Sequence, residues 1–218
     1  MPLVHFSTDY VFNGSGDRSW REDSPTEPLS AYGASKLAGD VAIQAAGGAH
    51  LIARTSWVYA AKGSNFLRTI ARLAGERKEL RIVADQIGAP TTAQAIASAV
   101  AGIVLPNITT LHDQLMRRGG VVNLVCAGET SWHGFATAIV GGLRSRGVTL
   151  AVDNIVPIAT ADFPTKAVRP GNSRLDLTRL KAQFGVAMPT WQEALARELD
   201  AYVQLSAPAH AQSVRGLG

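Results

Sequence analysis

A short strand at residues 5–8, followed after a polar loop by Tyr32 and Lys36 at the start of a helix, constrains this chain more than any other feature. Residues four positions apart share one face of an α-helix, so these two side chains are expected to point into one cleft. A further apolar strand is predicted at residues 51–55. Strand, helix and strand in this order predict a right-handed crossover in a parallel sheet of an α/β fold.

The spacing of Tyr32 and Lys36 suits general acid catalysis. A phenol ordinarily holds its proton too tightly to exchange it readily near neutral pH, and a nearby ammonium favours the phenolate. The hydroxyl of Thr8, at the end of the first strand, is expected to complete a relay of hydroxyl, phenol and ammonium around one reacting oxygen. The structural alternative is an aromatic ring packed under the helix, with the lysine extending past it to solvent.

Apolar periodicity and breaker residues predict the remaining elements. Ser30 is expected to cap a helix over 31–46, which ends at Gly47 and Gly48. Further helices are predicted over 65–74, 92–105, 132–146 and 191–202, and strands over 80–83 and 121–125. After Val148 we expect irregular chain, apart from a short helix that follows the loop 169–176.

Length and composition exclude several classes of protein. A chain of 218 residues forms one or two domains and has ample length to bury a core. No segment approaches 18 uncharged apolar residues and no signal peptide is recognisable, so we expect neither a membrane span nor secretion. The single cysteine, Cys126, fits a reducing cytoplasm.

The charged residues and the histidines predict no further class of ligand. The net charge is +4, but the basic residues are scattered rather than arranged in a stripe, so we expect no nucleic-acid partner. The five histidines show no ligand spacing and have no cysteine partner, so no metal site is predicted.

Five motifs together resemble the extended short-chain dehydrogenase/reductases and, within them, the family of dTDP-4-dehydrorhamnose reductases. They are Ser7-Thr8-Asp9-Tyr10-Val11-Phe12, Tyr32-Gly33-Ala34-Ser35-Lys36, Arg54-Thr55-Ser56-Trp57-Val58-Tyr59, Asp85-Gln86-Ile87-Gly88-Ala89-Pro90-Thr91 and Arg169-Pro170-Gly171-Asn172-Ser173-Arg174-Leu175-Asp176. The similarity runs from about Val4 to Val203, and the last motif narrows the superfamily to the family. Ala60 and Asn13 stand where the family usually has glycine and aspartate.

The resemblance implies an α/β fold: part of a doubly wound, Rossmann-like parallel sheet, with a smaller C-terminal substrate-binding α/β region. Residues 1–83 would be the C-terminal part of the Rossmann-like domain with the catalytic helix. Residues 84–205 would mainly bind substrate, with return segments to the first domain, and 206–218 would form a disordered tail. The glycine-rich turn with which family members cradle the cofactor pyrophosphate does not precede His5, so we expect a chain that lacks the N-terminal cofactor-binding half.

The resemblance also implies an activity, namely hydride transfer from NADPH or NADH to the C4 ketone of dTDP-4-dehydro-L-rhamnose. Tyr32 would protonate the nascent alkoxide, Lys36 would hold the nicotinamide ribose, and both would contact the cofactor. Thr8 would bind the reacting oxygen, and Asp9 and Trp57 would contact the nucleotide sugar. A homodimer is the candidate assembly.

Several of these residues also have a purely structural explanation. Trp57 would otherwise pack a domain interface, Asp9 would cap a turn, and Tyr10 would pack the loop. Arg169 suits a diphosphate, but a surface ion pair is the favoured explanation.

Two other functions remain open at this point. A nucleotide-sugar epimerase or dehydratase would share Tyr32 and Lys36, although a dehydratase would want a glutamate after Asp9, where this chain has Tyr10. A regulatory or binding fragment of the same fold would need no turnover at all.

Overall fold

The computed structural model describes residues 1–163 and 168–206. Strand β1 (Leu3–Thr8), helix α1 (Ala31–Ala45) and strand β2 (His50–Thr55) form the predicted strand–helix–strand unit. The two strands are parallel, with Leu3 opposite His50 and Thr8 opposite Thr55. A later strand, β7 (Gly120–Asn123), pairs with the other side of β2 and completes a parallel sheet of order β1-β2-β7. The predicted α/β class with parallel strands is confirmed.

Polar side chains start four of the helices where the sequence predicts them. The Ser30 Oγ accepts a hydrogen bond of 3.1 Å from the Gly33 amide at the start of α1. The same arrangement, with Asn65, Thr92 and Ser131 as caps, begins α2 (Phe66–Glu76), α3 (Ala93–Val104) and α5 (Trp132–Arg144). Each cap satisfies a backbone N–H that has no partner inside its helix, which is why these helices begin at these residues.

Short strands and two further helices complete the second half of the chain. Strand β4 (Glu79–Val83) pairs with β9 (Asn154–Ile158), and β3 (Val58–Tyr59) pairs with β6 (Thr91–Thr92), in both cases parallel. A small sheet has the order β10 (Asn172–Ser173), β5 (Ile87–Gly88), β8 (Thr130–Ser131). Helices α6 (Thr178–Phe184) and α7 (Trp191–Ser206) follow.

Among the elements of four or more residues, two were not expected from the sequence, and the two-residue strand β10 lies within the predicted loop 169–176. Strand β9 lies in the stretch after Val148 that was expected to be irregular, and it contains Pro157, which cannot donate to a strand partner. In the described part of the chain β9 pairs with β4 alone, and an edge strand tolerates a proline. Helix α4 (Leu111–Arg118) buries only Leu111 and Leu115, which is too weak a periodic signal to read from the sequence.

The largest apolar cluster lies between α2, α5 and α7 and includes the fully buried Leu67, Phe135 and Ile139. A second cluster packs against the β1-β2-β7 sheet through Leu51 and Val122. Helix α2 and strand β4 fall inside the predicted first unit, 1–83, yet α2 packs on α5 and β4 pairs with β9. The division into 1–83 and 84–205 stays a prediction.

The first strand and the last helix depart from what the sequence predicts. Ser7 and Thr8 are buried, whereas the apolar Phe6 of the same strand is 46% exposed, and β1 is an edge strand that pairs only with β2 in the described residues. Helix α7 continues to Ser206, the first residue of the predicted disordered tail, and 207–218 lie outside the described residues.

Membrane-spanning potential can be judged for the described residues. Within 1–163 and 168–206, no single helix has the length and apolar character needed to cross a membrane. The segments Ala93–Asn107 and Leu111–Arg118 pass that test only together, as a pair bent by 116°.

Candidate active site

A cavity of about 350 Å³ opens at the carboxyl ends of β1 and β2. This edge of an open parallel sheet is where ligands bind in α/β folds. Four of the five predicted site residues line the cavity, and the fifth, Lys36, does not. The lining residues include Thr8, Asp9, Tyr10, Tyr32, Thr55, Ser56, Trp57, Trp132 and Arg169.

Tyr32 stands at the mouth of this cavity. It is the second residue of α1 and is 55% exposed, and its ring meets Tyr10 edge-on with centroids 5.8 Å apart. Its ring is therefore not packed under the helix. A side chain at Gly33 would overlap the Tyr10 carbonyl oxygen, so the glycine lets α1 approach the turn that follows β1. That close approach brings Tyr32 and Thr8 to the same cavity.

Lys36 lies against β1, one helical turn after Tyr32. Its ammonium donates a 2.5 Å hydrogen bond to the Phe6 carbonyl and lies 3.2 Å from His5 Nε2. An ammonium has three donors, so these contacts leave one for a ligand. Tyr32 and Lys36 thus both face the strand β1 and the turn after it.

A buried ion pair supports the face of α1 that carries Tyr32 and Lys36. Asp40 is 1% exposed and lies 3.5 Å from Arg54 Nε, and its Oδ2 accepts a 2.8 Å hydrogen bond from the Ser7 hydroxyl. The His5 imidazole lies 3.9 Å from the other carboxylate oxygen. Asp40 therefore joins α1 to β2 through Arg54 and to β1 through Ser7, and these contacts fix the helix that carries Tyr32.

Thr8 and Asp9 are buried residues that line the cavity at the end of β1. The Thr8 hydroxyl donates to Asp9 Oδ1 at 3.1 Å and accepts from the Tyr10 amide at 3.2 Å. Burial raises the pKa of Asp9 from 3.8 to about 6, because the charged form loses its hydration, and the hydroxyls of Ser173 and Thr8 oppose this only in part. Asp9 Oδ2 has no hydrogen-bond partner among the described residues.

Two more buried hydroxyls on the cavity wall lack partners. Thr55 Oγ1 and Ser56 Oγ are inaccessible to solvent and make no hydrogen bond within the described part of the chain. Buried polar atoms are nearly always hydrogen-bonded, so unpaired ones in a cleft indicate a polar ligand. Sequence reasoning missed both residues as site residues, although they directly precede Trp57 in their motif.

Trp57 also lines the cavity and stacks on Trp132, with centroids 3.6 Å apart and ring planes 12° from parallel. Trp132 was also missed, because it comes from a distant helix and carries no local signal of a site. Arg169, which the sequence offered as either a phosphate ligand or a surface ion pair, lines this cavity and an adjoining recess of about 100 Å³.

The motif after Arg169 holds the loop between β1 and α1. The Asn172 side chain donates to the Arg18 carbonyl at 2.8 Å, and the Trp20 indole donates to the Asn172 carbonyl at 3.1 Å. The backbone N–H of Asn172 donates to the Gly14 carbonyl at 2.9 Å. These contacts make the motif a clamp on the loop that precedes Tyr32, with only Arg169 and the Ser173 hydroxyl beside Asp9 near the site itself.

Several known proteins are similar to this chain. A reductase from Burkholderia thailandensis named dTDP-4-dehydrorhamnose reductase is 48% identical over 88% of this chain and 65% of its own length. One of the same name from Salmonella typhimurium is 42% identical over 90% of this chain and 64% of its own length. The chain therefore spans about two thirds of the length of these relatives.

Solved structures give the same result. A dTDP-4-dehydrorhamnose reductase from Clostridium acetobutylicum superposes with a TM-score of 0.78 at 33% identity, covering 92% of this chain and 65% of that one. A Bacillus anthracis reductase of the same name, in complex with NADP, has a TM-score of 0.77 at 32% identity, with 91% and 65% covered. The family model described as the RmlD substrate binding domain matches residues 1–204. This chain belongs to the RmlD substrate binding domain family.

Proposed function

We propose that this chain is the catalytic-helix and substrate-binding part of a dTDP-4-dehydrorhamnose reductase, which reduces the C4 ketone of dTDP-4-dehydro-L-rhamnose to dTDP-L-rhamnose. The observation that carries the proposal is that Tyr32, Thr8 and Trp57 share one cavity, with Lys36 one turn behind Tyr32. The names of the relatives support the same activity.

Residues that line the cavity, together with Lys36 beside it, fit a nicotinamide cofactor. Thr55 and Ser56 offer hydroxyls without partners, and Lys36 keeps one ammonium donor for ribose hydroxyls. Tyr32 also lines the cavity and is exposed. NADPH or NADH would supply a hydride, and the chain would orient the ring and donate the proton. The glycine-rich phosphate cradle of the family has no counterpart among the described residues.

Within the cavity, each predicted residue has a definite task. Tyr32 would give its phenolic proton to the oxygen at C4 as that oxygen gains negative charge. Thr8 would bond the same oxygen, which requires its hydrogen to turn away from Asp9 Oδ1. Preorganised donors of this kind stabilise a developing oxyanion. The free Asp9 Oδ2 would accept a sugar hydroxyl, and Trp57 would cover the sugar ring.

The proposal also covers the diphosphate of the ligand, the assembly of the protein and its cellular location. The Arg169 guanidinium lines the cavity and suits the diphosphate. A homodimer and a cytoplasmic location belong to the proposal as well. The exposed Leu105, Ile108 and Met116 support an interface with a second copy, and the buried free thiol of Cys126 is compatible with a reducing compartment.

The test uses the purified chain, with dTDP-L-rhamnose for binding and with dTDP-4-dehydro-L-rhamnose and NADPH for turnover. We expect quenching of tryptophan fluorescence by dTDP-L-rhamnose, with an affinity that Tyr32→Phe changes by less than about twofold, because that substitution removes only the proton donor. Any NADPH-dependent reduction of the ketone should fall by at least about a hundredfold in Tyr32→Phe. A folded chain that ignores dTDP-L-rhamnose at millimolar concentration contradicts the proposal. Binding of the sugar nucleotide without NADPH consumption would identify a binding module instead.

A further inference from the structure

Trp57 has a backbone conformation that a large side chain rarely adopts. Its φ is +49°, and it is the one non-glycine residue in the left-handed region among the residues the structure describes. Such a conformation is strained for a residue that has a side chain and persists only where the surroundings hold it. Because Trp57 forms a wall of the active-site cavity, the contacts that hold it bear on ligand binding.

Two features hold the indole ring itself. It stacks on Trp132, the first residue of α5, at 3.6 Å. On another side it lies over Gly88, where an added Cβ would stand 2.9 Å from Trp57 Cε2 and 3.0 Å from Ser173 Cβ. The lack of a side chain at position 88 therefore provides the space that the ring occupies.

A chain of hydrogen bonds fixes Trp132 in turn. The Trp132 indole donates to Gln86 Oε1 at 3.1 Å, and Gln86 Nε2 donates to the Thr160 hydroxyl at 3.1 Å. That hydroxyl donates to Asp85 Oδ1 at 2.6 Å. An indole N–H can only donate and a carboxylate can only accept, so both ends of the chain orient the Gln86 amide in the same direction.

We propose that Gln86 and Trp132 are positioning residues that hold the Trp57 indole on the cavity wall in the orientation that contacts the sugar. The proposal rests on the proposed function for the identity of the ligand. Asp85, Gln86 and Gly88 belong to one sequence motif, which runs into strand β5, and this inference assigns a task to that motif. Gln86 is 5% exposed, and the series of hydrogen bonds from Trp132 to Asp85 does not include the reacting groups.

The first experiment measures the Trp57–Trp132 stack directly. Stacked indoles give an exciton couplet in the far-ultraviolet circular dichroism spectrum, and Trp57→Phe defines the spectrum without it. We expect Gln86→Leu to lose most of the couplet and Gln86→Glu, which keeps an acceptor for the indole, to retain much of it. The matched control is Gln94→Leu, at an exposed glutamine of α3 whose amide bonds to Ser98. An undiminished couplet in Gln86→Leu overturns the proposal.

The second experiment asks whether Gln86 acts through Trp57. Fluorescence titration with dTDP-L-rhamnose should show Gln86→Leu binding about fivefold more weakly than the wild-type chain, the effect of one lost hydrogen bond. In a Trp57→Ala background the same substitution should weaken binding by less than about twofold, because its target is gone. Equal losses in both backgrounds, or no loss in either, overturn the positioning role.

Two outcomes are kept separate from these. If the wild-type chain does not bind dTDP-L-rhamnose, the proposed function fails, and the couplet alone decides whether Gln86 holds Trp57. If Gln86→Leu does not fold, as judged by its thermal unfolding, Thr160→Val replaces it. This substitution, at an exposed position, removes the hydroxyl that accepts from Gln86 Nε2, so the couplet and the affinity should both fall, and their persistence overturns the proposal.

Discussion

Replacing Asp9 by asparagine should change how the stability of the protein depends on pH. Asp9 is 3% exposed, and burial raises its pKa from 3.8 to about 6. Between these values the folded protein binds the proton more tightly than the unfolded chain does. The contribution of Asp9 to the free energy of unfolding therefore falls as pH rises through this window. The displacement of the pKa from 3.8 to about 6 lowers the free energy of unfolding by about 3 kcal/mol at pH 8, relative to the protein with Asp9 protonated. At pH 4 the same effect lowers it by only about 0.5 kcal/mol.

Asparagine has no proton to lose in this range, so Asp9→Asn removes the pH dependence and leaves the rest of the site nearly unchanged. It still accepts the hydrogen bond from the Thr8 hydroxyl. Its Nδ2 would take the place of the unpaired Oδ2, which adds an offset that does not vary with pH. The informative quantity is therefore the widening of the difference between variant and wild type. We expect the variant to gain about 2–3 kcal/mol relative to wild type between pH 4 and pH 8.

Urea unfolding followed by tryptophan fluorescence at a series of pH values measures this difference. The control is Asp17→Asn, at an exposed aspartate of the loop before α1, which should track wild type within about 0.5 kcal/mol throughout. Parallel curves for Asp9→Asn and wild type across the whole range would refute the reasoning. They would mean that the Asp9 carboxylate is ionised in the folded protein at no cost.

Two further predictions concern the support of the catalytic helix, and urea unfolding tests both. Gly33→Ala should destabilise the protein by about 1–3 kcal/mol, because its methyl group overlaps the Tyr10 carbonyl, whereas Gly39→Ala on the same helix meets nothing closer than 3.9 Å and should stabilise by up to about 1 kcal/mol. Equal effects at the two glycines would contradict the close approach. Asp40→Ala should cost about 3–5 kcal/mol, because it leaves Arg54 buried without its partner. The same substitution at Asp23, in an exposed pair with Arg21, should cost less than about 1 kcal/mol, and a similar loss at both would argue against the buried pair.

Much of the local structure follows from the sequence because its causes are local. The caps at Ser30, Asn65 and Thr92 act on backbone groups three residues away, so their helices begin where the sequence predicts. Helical spacing likewise places Tyr32 and Lys36 toward β1, and the strand ends in Thr8 as expected. These are the features for which neighbouring residues suffice.

The elements that the sequence did not predict depend on partners far along the chain. Strand β9 contains Pro157 and exists because β4 offers it an edge, while helix α4 is held by Leu111 and Leu115 against the core. Neither carries enough local preference to be read alone, since packing decides the outcome where propensity is weak.

The candidate site shows the same difference between features with local causes and features that depend on distant residues. The residue types at 8, 9, 32, 36 and 57 are local motifs, and the sequence alone determined their identity and order. Only the tertiary structure decided that Asp9 is buried enough for its pKa to reach about 6, that Lys36 contacts Phe6 and His5, and that Trp132 stacks on Trp57. Burial and stacking arise when segments remote in sequence close around a residue, and no short motif contains that information.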